Sequence, residues 1–354
     1  TDGINPKKVA VLDIYSRPWA FDAVTRMGGR FSGPIARKGL VRLKKVPVLN
    51  QQTRWRSLPV PAPRPMQDLV SSGSREHART PLIPSAVAGK TVAIFPGCMT
   101  DRLYPEQGMA IVQTLRALGV NIVYPAGSNG CGLPASNMGD DPTARKMARH
   151  TIETMERALS RTPADYIVSG SASCVAMMTQ DYLHIFRNDL SWQARAQALA
   201  NKTMDFTSFL VNEARIPAGT LASDTAAPVV TYHDSCQGLN ALDLYDEPRE
   251  ILVDLLGCQV RELEGNRTCC GFGGSFSFDY PEVAERLMKR KLGNAQATDA
   301  PLVVTDNQGC IMHLRGGADV EGSAIKVAHI AELVAARIEQ LESEAGGRVL
   351  SPGP

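Results

Sequence analysis

The sequence of 354 residues has no run approaching the ~20 apolar residues that a membrane-spanning helix needs, and no charged-then-apolar segment at its start. It also has no strand-GxGxxG-helix fingerprint of flavin or nicotinamide sites, because the glycines of "GFGGSF" follow a cysteine pair instead. These absences argue against a membrane span and a dinucleotide cofactor. We expect a cytoplasmic protein, in which clustered cysteines indicate metal or redox chemistry rather than disulfides.

Charge is unevenly distributed along the chain, although the net charge is only +2. Residues 1–90 carry 16 Lys and Arg against 5 Asp and Glu, a balance of +11, and the remainder carries 22 against 31, or −9. The basic segment shows no helical or aromatic recognition pattern, so we expect no nucleic-acid binding. We interpret its charge as solvated or as a docking surface for a partner.

The chain divides into a basic arm and a longer region of alternating strands and helices. Residues 1–85 are rich in Arg, Pro and Ser, and "LPVPAPRPMQDL" predicts an extended, Pro-rich arm or linker, with short helical stretches such as "WAFDAVTRMGG". From residue 91, alternating strands and helices predict an α/β fold of parallel βαβ units. Their order recurs, which predicts two pseudo-symmetric lobes at 86–222 and 223–345, followed by a tail at 346–354.

The cysteines repeat with the lobes. Three in each half match at offsets of 138, 139 and 136 residues: Cys98 with Cys236, Cys131 with Cys270, and Cys174 with Cys310. All fall at or just after the ends of predicted strands, the edge where open α/β sheets bind ligands. A helix N-terminus favours a thiolate there, and glycines let backbone amides approach inorganic sulfur. The pattern is therefore typical of an iron-sulfur site.

The two halves differ in the number of sulfur ligands. The second half offers four: Cys236, Cys269, Cys270 and Cys310. The first half has Gly130 where Cys269 would be, so its cluster needs water, substrate or another side chain at the open position. We expect one cluster in the second half, and a second cluster in the first half stays open. His313 is either a ligand or a hydrogen-bonding neighbour of one, and Cys258 is interpreted as a buried apolar residue.

The spacing of Cys, Cys-Cys-Gly and Cys-x-x, present twice, resembles the cysteine-rich "CCG" domain family over residues 91 to about 335. The stretches "FPGCMTDRLYPEQG", "YHDSCQGLNALDLYDEPREIL" and "CCGFGGSFSFDYPEVAERLMKRKLGNAQAT" are most similar to its lactate-utilisation A group. The resemblance implies 4Fe-4S-type clusters, including non-cubane forms. It makes the four second-half cysteines one ligand set, and Cys98, Cys131 and Cys174 the remnant of another.

A second resemblance lies in the arm. "QTRWRSLPVPAPRPMQDL" is similar to the tail that follows the ferredoxin region of lactate-utilisation protein B, although this chain has no Cys-x-x-Cys-x-x-Cys run. Together with the start at Thr1, this leads us to expect the C-terminal part of a B-A fusion, or a fragment of one. The implied partners are subunits of a lactate-utilisation-type complex, among them a ferredoxin-like iron-sulfur protein.

Three functions fit these observations. The leading hypothesis is an iron-sulfur electron-transfer subunit of a complex that oxidises lactate or another 2-hydroxy acid, of the L-lactate dehydrogenase type. The alternatives are a thiol/disulfide enzyme like heterodisulfide reductase, and a zinc-binding scaffold held by four cysteines. The adjacent Cys269 and Cys270 are awkward for the usual zinc knuckle. No catalytic residue is assigned from the sequence.

Overall fold

The computed structural model describes residues 6–32, 35–42, 53–70, 75–78, 80–223 and 227–348. Its strands are β1 Leu40–Val41, β2 Leu58–Pro59, β3 Arg75–Glu76, β4 Thr91–Ile94, β5 Asn121–Val123, β6 Tyr166–Ser169, β7 Thr203–Asp205, β8 Val229–Tyr232, β9 Gln259–Val260, β10 Leu302–Thr305 and β11 Lys326–His329.

The helices are α1 Pro6–Ser16, α2 Pro18–Ser32, α3 Met66–Leu69, α4 Gly97–Arg102, α5 Pro105–Ala117, α6 Leu133–Asn137, α7 Asp141–Arg161, α8 Ala172–Ala176, α9 Tyr182–Ile185, α10 Leu190–Ala200, α11 Phe206–Ser208, α12 Cys236–Ala241, α13 Asp246–Arg249, α14 Phe276–Asp279, α15 Pro281–Gln296, α16 Gln308–Glu321 and α17 Ile330–Arg348. Three π-helical turns join or extend them: Met177–Asp181, Phe209–Ala214 and Glu250–Leu255.

Two sheets with the same topology form the body of the molecule. The first has the order β5-β4-β6-β7, with all four strands parallel, and carries β3 as an antiparallel edge strand. The second has the order β9-β8-β10-β11, again fully parallel. Strands buried on both faces explain the nearly continuous apolar runs of the sequence. The predicted α/β fold with two pseudo-symmetric lobes is confirmed.

Matching sequence signals delimit matching elements of the two lobes. Helix α5 begins at Pro105, and Gly119 follows its end with a φ of +69°. In the second lobe Gly257 occupies the matching place with a φ of +66°. Only glycine adopts this left-handed conformation at little cost, so both residues turn the chain into the next strand. Helix α7 is capped by Asp140, whose side chain accepts from the Thr143 N–H at 3.2 Å.

The lobes share a hydrophobic core. Ile111 and Leu115 on α5 lie in the same buried cluster as Val334 and Ile338 on α17. The final helix of the second lobe therefore packs on the first helix of the βαβ series in the first lobe. This contact fixes the lobes relative to one another, with strand ends from both directed to a common region. No helix in the described ranges is both long and apolar enough to cross a bilayer.

The arm packs on both lobes instead of forming a core of its own. Its predicted helical stretch lies within α2, and α1 precedes it. The Ser57 N–H donates to the Gly316 carbonyl at 2.9 Å in the second lobe, and the Ala62 N–H donates to the Arg102 carbonyl at 2.7 Å in the first. Arg56 is 0 % exposed, so this basic residue does not belong to a solvated surface. The predicted lobe boundaries and the tail, of which 349–354 lie outside the described residues, stay predictions.

Candidate metal centre

Seven of the eight cysteines line one cavity of about 180 Å³ between the lobes. They come from both halves: Cys98, Cys131, Cys174, Cys236, Cys269, Cys270 and Cys310. The eighth, Cys258, is buried in the shared hydrophobic core together with its counterpart Val120. The fold thus brings together every cysteine that the repeat singled out and leaves out the one interpreted as apolar.

The common sheet topology explains this convergence. In the order β5-β4-β6-β7 the connection after β4 leads to one side and the connection after β6 leads to the other, which opens a crevice at the carboxyl ends of β4 and β6. Cys98 lies four residues beyond the end of β4, and Cys174 lies five residues beyond the end of β6. Cys236 and Cys310 follow β8 and β10 at the same two spacings. Each lobe therefore delivers two cysteines to its own switch point.

These strand-end cysteines stand at the beginnings of helices. Cys236 is the first residue of α12, and Cys310 is the third residue of α16. Side chains cap both helices, since the Ser235 hydroxyl accepts from the Gly238 N–H at 3.1 Å and the Asn307 amide oxygen accepts from the Gly309 N–H at 3.0 Å. Backbone N–H groups in a first turn lack partners within their helix and favour a nearby negative charge. The position suits a thiolate.

The second-lobe cysteines form a hydrogen-bonded cluster. The Sγ atoms of Cys270 and Cys310 are 3.2 Å apart, well beyond the roughly 2.05 Å of a disulfide. Hydrogen bonds from Cys236 and then Cys270 lower the pKa of Cys269, helped by the Gly271 N–H at 3.3 Å from its Sγ. The hydrogen bond from Cys270 lowers the pKa of Cys310 to about 6, aided by His233. Thiolates are the form of cysteine that binds metal.

His233 is a site residue that sequence reasoning missed. One of its ring nitrogens lies within 4.8 Å of the Sγ atoms of both Cys270 and Cys310, and the three residues could hold a metal ion. Its counterpart is Phe95, and the N–H of each donates at 2.9 Å to the neighbouring strand of its own lobe. The lobes therefore differ here in one side chain on an equivalent backbone. The signal was present in "YHDSC", where a histidine precedes the first cysteine by three residues.

We expect His233→Ala to weaken metal retention at the second lobe by about 10- to 100-fold, because it removes a candidate ligand beside the Cys270 and Cys310 sulfurs. The measurement is metal content after a chelator titration of the purified protein. His184→Ala is the matched control, since His184 is exposed on helix α9, does not line the cavity and should leave metal retention unchanged. If both variants retain metal equally well, His233 is not part of the metal site.

His313 does not line the cavity. Its Nδ1 lies 2.7 Å from Nη1 of Arg56, and its ring packs edge-on against Trp55 at 5.3 Å. Burial and then the neighbouring Arg56 lower the pKa of His313 to about 3, so the imidazole is neutral. Two residues of the arm, Trp55 and Arg56, thus contact the His313 ring and fix its position. This geometry favours the hydrogen-bonding role over the ligand role, both of which the sequence left open.

The first-lobe cysteines show a mixture of raised and lowered pKa values, as the second-lobe cysteines do. The hydrogen bond from Cys131 lowers the pKa of Cys174, whereas burial raises the pKa of Cys98 to about 12. Met177, at the place of His313, is fully buried in the hydrophobic core of the first lobe. The first lobe thus brings three sulfurs to the cavity, and an apolar side chain stands where the second lobe has a histidine.

Fold and site together define the class of protein. Residues 92–179 and 230–315 match the CCG family, described as a cysteine-rich domain. Lactate utilization protein A of Shouchella clausii is 35% identical over 244 residues, covering 69% of this chain and 98% of that protein. The proteins of that name from Exiguobacterium sp. and Bacillus thuringiensis are also 35% identical, over 252 and 246 residues, covering 70% of this chain and 98% and 99% of theirs. The chain belongs to the lactate utilization protein A family of cysteine-rich-domain proteins.

Solved structures add little. Glutamate racemase RacE1 from Bacillus anthracis aligns over 73% of this chain and 83% of its own, with a TM-score of 0.31 and 11% identity. A similarity of that size carries no argument about fold or function.

Proposed function

We propose that this chain is an iron-sulfur electron-transfer subunit of a complex that oxidises lactate or a related 2-hydroxy acid. The observation that carries the proposal is the cavity lined by seven cysteine sulfurs, four from the second lobe and three from the first. A shell of cysteine sulfur with nearby backbone N–H donors is the environment that iron-sulfur clusters need. The names of the relatives support the link to lactate, and through it to a multi-subunit system with a ferredoxin-like iron-sulfur partner.

The size of the cavity favours a cluster over a single ion. Its volume of about 180 Å³ corresponds to roughly six waters at about 30 Å³ each. A structural zinc ion is enclosed by four tetrahedral ligands and needs no such space. The His233, Cys270 and Cys310 group makes a zinc site the second candidate, since zinc accepts nitrogen and sulfur ligands together.

A bound cluster would supply one-electron uptake and release. The chain's own residues would hold it through cysteine thiolates, and the Gly271 N–H at 3.3 Å from the Cys269 sulfur would stabilise negative charge there. Oxidation of the substrate itself would take place at another centre or subunit, because the sequence carries no flavin or nicotinamide fingerprint.

Two buried cations support a negatively charged group in the second lobe. Lys291 donates through Nζ to the carbonyl oxygens of Gly265 and Asn266, both at 2.8 Å. Burial lowers the pKa of Lys291 to about 8 and that of Arg56 to about 10. Buried cations are costly unless an anion lies near, and sulfur ligands around a cluster provide one.

Anaerobic purification followed by iron, sulfide and zinc analysis with EPR tests the proposal. We expect iron and acid-labile sulfide in similar amounts and an EPR signal on reduction. Zinc without iron or sulfide would establish the second candidate and overturn the electron-transfer role. Turnover of a disulfide substrate by the isolated protein would instead favour the thiol/disulfide enzyme.

A further inference from the structure

The first lobe has no cysteine at the position that matches Cys269, and a side chain from the arm occupies the space that the cysteine side chain would fill. The matching residue is Gly130, and a Cβ atom built there would overlap the hydroxyl oxygen of Tyr15 and lie 2.6 Å from its Cζ. Real Cβ atoms essentially never approach other atoms within 3.0 Å. Gly130 has no left-handed backbone that would itself require glycine. The glycine is therefore needed because Tyr15 fills the volume of a side chain.

Tyr15 is held in this place from several sides. It packs in a buried cluster with Leu12 of its own helix and with Met147 of α7. The Phe21 ring meets the Tyr15 ring edge-on at 5.2 Å, and the Asn129 side-chain amide donates to the Tyr15 carbonyl at 3.0 Å. Tyr15 is only 8 % exposed. Its position is thus set by packing on both the arm and the first lobe.

The Tyr15 hydroxyl reproduces one contact of the missing cysteine. It donates a hydrogen bond to Cys98 Sγ, with Oη and Sγ 3.3 Å apart. In the second lobe Cys236 and Cys269 each shift the pKa of the other, so the two thiols are neighbours, and Cys236 is the counterpart of Cys98. Tyr15 itself does not line the cavity, whereas Cys98 does. The phenol therefore lies behind the sulfur and not beside it as a further ligand.

We propose that Tyr15 substitutes for the fourth cysteine of the first lobe as a positioning residue: its ring fills the site of the lost side chain, and its O–H group donates to the Cys98 ligand. The first lobe then binds its cluster through three sulfurs, and the arm is a part of that site. This inference rests on the proposed iron-sulfur function. A hydrogen bond to a cluster sulfur stabilises the more negative, reduced form and raises the reduction potential.

The test of the hydrogen bond is a redox titration followed by EPR on the full chain. Tyr15→Phe should retain iron and shift the midpoint of one cluster signal to a lower potential, leaving the other signal unchanged. Tyr280→Phe is the matched control, because Tyr280 is 60 % exposed in the second lobe and should shift neither signal. Loss of iron in Tyr15→Phe would show that the phenol is a ligand. An unchanged midpoint potential would show that its hydrogen bond does not act on the cluster. Either result overturns the proposal.

The test of the packing needs no metal. In the metal-free protein, Gly130→Ala should lower the denaturant midpoint, and the same change should cost almost nothing in a Tyr15→Ala background. Gly293→Ala, a helical position with nothing within 4 Å of the added Cβ, should be tolerated in both backgrounds. If Gly130→Ala lowers the denaturant midpoint equally with and without the Tyr15 side chain, the proposal that Tyr15 fills this space is wrong.

Failure of the two proposals can be told apart. Iron-loaded protein with only the second-lobe signal would overturn the role of Tyr15 at a first-lobe cluster and leave electron transfer intact. Protein without any iron signal would overturn the proposed function, and the metal-free cycle would still decide whether Tyr15 takes the place of a side chain at Gly130.

Discussion

Cys270→Ser is expected to remove the second-lobe cluster, so that iron per chain falls by about half or more and the corresponding EPR signal disappears. Cys270 is 2 % exposed, lines the cavity and has its Sγ 3.2 Å from that of Cys310. A serine hydroxyl does not replace the thiolate ligand, because it stays protonated. Iron analysis and EPR of the anaerobic protein provide the measurement.

Cys258→Ser is the matched control for this variant. Cys258 is also buried, and the substitution introduces the same buried hydroxyl, at a cost of about 1–3 kcal/mol in folding stability. It lies in the shared core and does not line the cavity, so iron content and spectrum should be unchanged. Iron loss of similar size in both variants would mean that folding, and not ligation, controls metal content.

Trp55→Ala should destabilise the metal-free protein by about 3–5 kcal/mol, the usual cost of truncating a buried aromatic side chain. Trp55 belongs to the arm, yet it is 2 % exposed and packs in the hydrophobic cluster of the second lobe. The Arg56 guanidinium also lies over the Trp55 ring, 4.5 Å from its centroid. The variant thus removes core packing together with this cation–π contact. Denaturant unfolding gives the free-energy difference.

Trp19→Ala supplies the comparison, since it makes the same change in the same arm at a position that is 72 % exposed. Its effect should stay within about 0.5 kcal/mol. Similar small effects of both variants would show that the arm does not stabilise the second lobe.

Much of the fold follows from local sequence signals. The strand and helix alternation, the helix-initiating Pro105 and the turn glycines Gly119 and Gly257 lie where the chain needs them. The spacing of cysteines relative to strand ends is also a local property. Because parallel strands direct their carboxyl ends to one edge, this spacing was enough to predict that the cysteines of each half converge.

The contribution of the arm could not be predicted in the same way. Its composition predicted an extended, Pro-rich arm whose charge is solvated or docks a partner, and the structure buries Tyr15, Trp55 and Arg56 of this arm against the lobes. Residues separated by 83 and 257 positions meet in the Tyr15–Cys98 and Arg56–His313 contacts. Such contacts depend on the path of the chain across an assembled surface, and no periodicity within the arm records that path.

The sequence alone thus determined the α/β class, the duplication and the cysteines that form the site, because these depend on short-range patterns repeated in two halves. Only the tertiary structure decided that both lobes face one cavity, that His233 joins the second-lobe cysteines and that Tyr15 lies on Gly130. The physical reason is that a shared core sets the relative position of the lobes, and close packing then selects which distant side chain fills each remaining space.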